Sequence, residues 1–147
     1  MYSWGEDAMR NVHVVGRRVL ATIIDLVVAG LFGAALLPVF GEDMQAGDFS
    51  YTALSNTGRF VVLLFIIVYH GVLEGITGRT LGKLATGIRV VDEATGATPG
   101  LGKAFLRNVL LVVDGLFIYL VAMIVILTND RRRRLGDMAA KTLVVRA

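Results

Sequence analysis

Two arginines, Arg17 and Arg18, open a run of 22 residues from Val19 to Phe40 in which the one charge is Asp25. At about 1.5 Å per residue, a helix of that length is roughly 33 Å long, enough to cross the hydrocarbon core of a bilayer. Asp25 then lies about 10 Å along the helix from Arg18, and two turns of spacing put both side chains on one face. An ionised carboxylate facing lipid costs roughly 3 kcal/mol on insertion scales, so Asp25 must face protein or water and have a partner.

The remainder of the chain fits the same setting. Its 147 residues suit a single domain, yet 55% are apolar and the mean hydropathy is +0.68, which is too hydrophobic for an ordinary soluble domain. No cysteine is present, which excludes disulfides, zinc–thiolate sites and thiol nucleophiles. The opening run is read as a retained span rather than a cleaved twin-arginine or secretory signal. It is too long, contains Asp25, lacks a small-x-small cleavage site and precedes further membrane-like segments.

Residues 1–16 form a short lead-in of mixed charge in which Tyr2 and Trp4 could rest among headgroups. Residues 41–59 read as an acidic loop with Glu42, Asp43 and Asp48 against Arg59. A second span covers 60–76. Near its end His70 and Glu74 share a helical face, and Gly71 and Gly75 form a small-xxx-small pair that lets another helix approach. Residues 78–87 read as a short basic interfacial helix. Ile88–Asp92 is a strand rich in β-branched residues, and turn chemistry follows it. A lone strand is unstable, so 88–92 is expected to pair with 142–146, with Ala97 and Thr98 adding to the sheet. A third apolar stretch, 101–127, contains Lys103, Arg107 and Asp114. The spacing from Arg107 to Asp114 repeats that from Arg18 to Asp25, either as an internal repeat or by chance.

Charge distribution orients the chain. Of 15 Lys and Arg, three precede the first span, one lies in 41–59, five run from Arg79 to Arg107, and six follow Leu127. The positive-inside rule therefore places the N-terminus in the cytoplasm and the first loop outside. A simple third crossing would put Arg131, Arg132, Arg133 and Arg134 outside. The preferred arrangement breaks the third stretch at Asp114–Gly115 and folds it back, keeping the basic tail, 128–147, in the cytoplasm; a full crossing is the alternative.

These segments resemble the RDD family of bacterial membrane proteins, named for an arginine and two aspartates. Arg18 with Asp25 resembles its first-helix signature, Thr80-Leu81-Gly82-Lys83 with Ile88-Arg89-Val90-Val91-Asp92 its central segment, and Arg134-Leu135-Gly136-Asp137 through Val145 its closing segment. Lys141 stands where the family often has glycine. The second signature aspartate falls on Asp137, with Asp114 as the alternative. The resemblance implies a single multi-pass domain of mostly unknown activity, with transport, including sodium/proton exchange, among the roles proposed.

The fold class expected is thus an all-α membrane protein with two spans, a third broken or spanning segment and a small cytoplasmic β element. Its candidate polar site comprises Arg18, Asp25, His70, Glu74, Arg107 and Asp114, working either as an ion or small-solute site or as a buried clamp that fixes helix positions. Lys83, Arg89 and Asp137 are assigned to cytoplasmic stapling or a partner, Asp137 capping its segment or pairing with a base such as Arg89. The four arginines 131–134 are assigned to anionic headgroups or topology anchoring. The lipid bilayer and a second copy or another membrane subunit are the expected partners. Without a stacking set, nucleic-acid binding is not expected. His13 and His70 show no metal-ligand spacing, and no phosphate loop, nucleophile elbow or carboxylate dyad is visible. No metal, cofactor or enzymatic activity is therefore expected.

Overall fold

The computed structural model describes the backbone of residues 14–116 and 135–147. Two long helices, α1 (Val15–Phe40) and α2 (Asn56–Thr77), form an antiparallel pair joined by strands β1 (Gly41–Ala46) and β2 (Phe49–Leu54). At 26 and 22 residues, they measure roughly 39 and 33 Å. Ser55 caps α2, its hydroxyl accepting from the Gly58 N–H at 3.2 Å. Gly78, with φ +73°, ends α2, its N–H donating to the Glu74 carbonyl. There follow a short helix α3 (Leu81–Ala85), strand β3 (Ile88–Asp92), helix α4 (Gly100–Leu116), a single-turn helix α5 (Leu135–Ala139) and strand β4 (Thr142–Arg146).

The expected pairing of 88–92 with 142–146 is present and antiparallel, from Ile88 opposite Arg146 to Asp92 opposite Thr142. Alternation divides its side chains between two covered faces. Ile88, Val90 and Val144 pack with Val14 and Ala21 at the start of α1, while Val91, Leu143 and Val145 cluster on the other face. Ala97 accepts one hydrogen bond, from the Asp92 N–H at 2.8 Å, and adds no third strand.

One expectation is corrected. Residues 41–54 form a hairpin, β1 pairing antiparallel with β2 around the two-residue turn Gly47-Asp48. Gly47 has φ +65°, the left-handed geometry that matches a tight hairpin turn. The fold is therefore mostly helical with two small sheets. Helix α4 includes Asp114 and Gly115 and is described as far as Leu116, so the expected fold-back and its crossing alternative concern residues outside the described ones. The remaining part of 101–127, the lead-in residues 1–13 and Arg131 to Arg134 lie outside the described residues.

The small-xxx-small pair does what its spacing suggests. A Cβ on Gly71 would fall 2.7 Å from the Phe105 ring, and one on Gly75 would fall 2.8 Å from the Leu101 Cα. These positions seat α4 against the end of α2, bringing Arg107 and Asn108 beside Glu74.

Candidate functional site

Polar side chains from five helices meet where α1 begins and α2 ends. Within α1, Arg18 and Asp25 fall on the buried stripe with Ala21, Ala29 and Gly33, as their two-turn spacing requires. Around them Glu74, Lys83, Arg107, Asn108 and Asp137 are also buried, with Glu74 at 0% and Asp137 at 1% relative exposure. Burial of this kind is tolerated only when charges are paired and hydrogen-bonded.

Asp25 and Arg18 enter this layer with different partners. The Asp25 carboxylate accepts from Thr80 Oγ1 at 2.6 Å, the Gly82 N–H at 2.9 Å and Tyr69 Oη at 3.0 Å. All three donors are neutral. The local reason is the start of α3, whose first N–H groups have no partner within the helix. The Leu81 N–H donates to Tyr69 Oη, the Gly82 N–H to Asp25, and the Lys83 N–H to the cap hydroxyl of Thr80. Asp25 thus caps a helix remote in sequence. Residue 82 must be glycine for this approach, since a Cβ there would lie 2.1 Å from the Ala21 carbonyl oxygen.

Arg18 instead reaches Asp137, Nη1 to Oδ2 at 2.9 Å, and Arg107 Nη2 meets Oδ1 of the same carboxylate at 2.8 Å. Asp137 lies in the first turn of α5, where a carboxylate is favoured by the helix dipole. A Cβ on the neighbouring Gly136 would come within 2.7 Å of the Arg107 carbonyl oxygen, so α5 sits directly on α4. The arginines of the two similarly spaced segments therefore converge on one aspartate.

Glu74 is the second hub. Lys83 Nζ and His70 Nδ1, the latter at 3.5 Å, meet its Oε1. Asn108 Nδ2 donates to Oε2 at 3.3 Å, and Arg107 Nε is 3.6 Å away. Arg107 therefore bridges both hubs, and three carboxylates (Asp25, Glu74, Asp137) are balanced by three cations (Arg18, Lys83, Arg107). Each of the six carboxylate oxygens has a protein donor or cation in place.

Of the expected site residues, Arg18, Asp25, His70, Glu74 and Arg107 come together. Asp114 lies on the backbone of α4, its side chain outside the described residues. Lys83, assigned to cytoplasmic stapling or a partner, is turned inward onto Glu74. Arg89 sits in β3, opposite Val145, while Asp137 pairs with Arg18 and Arg107. Tyr69, Thr80, Gly82 and Asn108 join the site from outside the expected set. A signal existed for Thr80, a hydroxyl before a short helix, whereas nothing local marks Tyr69 as a partner of Asp25.

Outside this layer, Asp92 ties β3 to α4. Its carboxylate bonds Lys103 and accepts from the Ala94 and Thr95 N–H groups. The Lys103 hydrogen bond, with these two amides, holds its carboxyl below the ordinary value despite burial.

The RDD family model matches residues 12–141, covering every residue of this layer. The chain belongs to the RDD family. Of the residues the RDD resemblance points to, Arg18, Asp25 and Asp137 are buried in one layer, while the side chain of Asp114, the alternative second aspartate, lies outside the described residues. No curated protein and no solved structure matches the chain.

Proposed function

We propose that this RDD protein is an integral, non-enzymatic protein of the cell membrane. Its charged layer is a clamp that holds the β3–β4 sheet to the cytoplasmic ends of the helices. The burial pattern supports the membrane setting. On α1, Val19, Leu20, Ile23, Leu26, Val27 and Leu31 are exposed while Arg18 and Asp25 are buried, and α2 likewise exposes Phe60, Leu64, Val68 and Ile76 while burying Glu74. Such helices place apolar atoms outward and charges inward, the arrangement lipid demands. The excess of Lys and Arg near this end supports a cytoplasmic position for it.

The observation that carries the clamp is the occupancy of all six carboxylate oxygens by donors from this chain. A bound cation would have to displace several of them. On this reading the protein serves as a membrane scaffold or subunit, working with a second copy or another membrane protein.

One feature favours a second reading. Among the described residues Asp25 is held by neutral donors alone, so a transported cation would meet no cationic side chain on its oxygens. Flux across proteoliposomes separates the two. The clamp predicts no pH-linked sodium or potassium flux from folded protein. A flux abolished by Asp25→Asn, with the fold retained, would establish transport instead.

A further inference from the structure

The β1–β2 hairpin lies at the opposite end of the helix pair, and the polar layer does not account for it. It has no slack. β1 starts directly after Phe40, and the Ser55 N–H before α2 donates to the Phe40 carbonyl at 2.8 Å, closing the base. Arg59 Nε adds a bond to the Leu54 carbonyl at 3.0 Å. The polar cap and first helical turn of α2, Ser55 to Arg59, mark where its apolar surface stops, and Val39 and Phe60 nearby are exposed. The hairpin is therefore fixed at the edge of the lipid-facing surface.

Its two faces differ. The register puts Met44 opposite Tyr51 and Ala46 opposite Phe49 on one face, with Glu42 and Ala53 at its base. Phe49 and Tyr51 are 71% and 45% exposed. The other face carries Asp43, Gln45, Ser50 and Thr52, with Thr52 Oγ1 donating to Asp43 at 2.9 Å. Standing upright, six residues at about 3.3 Å each would project about 20 Å, well beyond a headgroup layer roughly 5–8 Å deep. Two aromatics and a methionine would then face water.

We propose that this hairpin is a membrane-surface element, its Met44, Phe49 and Tyr51 face resting in the headgroup region of the leaflet at that end of α1 and α2. The inference rests on the membrane reading above. Aromatic side chains are favoured at that depth, the alternate polar face meets water, and Glu42 sits at the base where the strand leaves α1. The occupant of the apolar face is phospholipid.

Depth-dependent quenching tests it in full-length protein reconstituted into phosphatidylcholine vesicles whose acyl chains carry bromine, placed near the headgroup for the hairpin tryptophans and deep in the chain for the one in α1. In a Trp4→Phe background, single tryptophans are placed by Phe49→Trp and Tyr51→Trp on one face, Ser50→Trp and Thr52→Trp on the other, and Leu31→Trp in α1. Seating some 5–10 Å into the interface predicts quenching at 49 and 51 at least about twofold stronger than at 50 and 52. Weak quenching at all four hairpin positions, or equal quenching on both faces, overturns the proposal when Leu31→Trp is strongly quenched, and the membrane reading then stands. If Leu31→Trp also escapes quenching, both fail.

Discussion

The two small sheets of this protein are built on opposite logic. β1 and β2 are neighbours in sequence, turn on Gly47-Asp48, and leave most of their residues exposed. β3 and β4 lie on either side of α4 and α5 in sequence and are buried on both faces. An isolated two-stranded sheet is at best marginally stable in water. The first is held by a local turn and closed helix ends. The second packs on the start of α1 through Ile88, Val90 and Val144, and on the clamp reading it depends also on the charged layer that gathers α3, α4 and α5 there. On that reading, a sheet of distant strands draws stability from the charged layer as well as from its own Asp92–Lys103 pair.

That contrast can be broken at its strongest point. Replacing Glu74 by Gln leaves Lys83 and Arg107 buried beside a neutral group, and breaking a buried pair in this way costs about 3–5 kcal/mol. Thermal unfolding in detergent micelles should show the loss; an unchanged midpoint would remove Glu74 as a hub. Gly82→Ala should cost less, about 1–3 kcal/mol, by pushing α3 away from the Ala21 carbonyl and weakening the Asp25 cap. The same unfolding measurement, with Gly30→Ala in open space as control, checks it. The smallest effect belongs to Asp92. Its carboxyl is depressed in the folded state, so the stabilisation is present above the ordinary value near 3.8 and fades as pH falls through the folded value. Lys103→Met should therefore destabilise at neutral pH and converge with wild type in acid; a constant difference between the two would contradict that assignment.

The sequence made some of this legible for definite reasons. Hydrophobic length identified both helices, β-branched runs identified β3 and β4, and the Arg18–Asp25 spacing identified a buried polar face. Pairing choices were not legible. Arg18 and Asp25 share a stripe, yet each is taken by elements far away in sequence, Asp137 in one case and Thr80 with Gly82 in the other. The β1–β2 hairpin escaped notice because Gly41–Ala46 lacks β-branched residues and buries no face. Its signal lay in the turn and in Phe49, Tyr51 and Thr52 of β2, residue types that favour strands.

The central claim is that the charged layer is a clamp for the remote sheet. Hydrogen–deuterium exchange of full-length protein carrying Asp137→Asn tests it most directly, because Asp137 receives both Arg18 and Arg107. The clamp predicts that amides of 88–92 and 142–146 lose protection together while the 41–54 hairpin and the midsections of both long helices exchange as in wild type. Unchanged protection of β3 and β4 would contradict it.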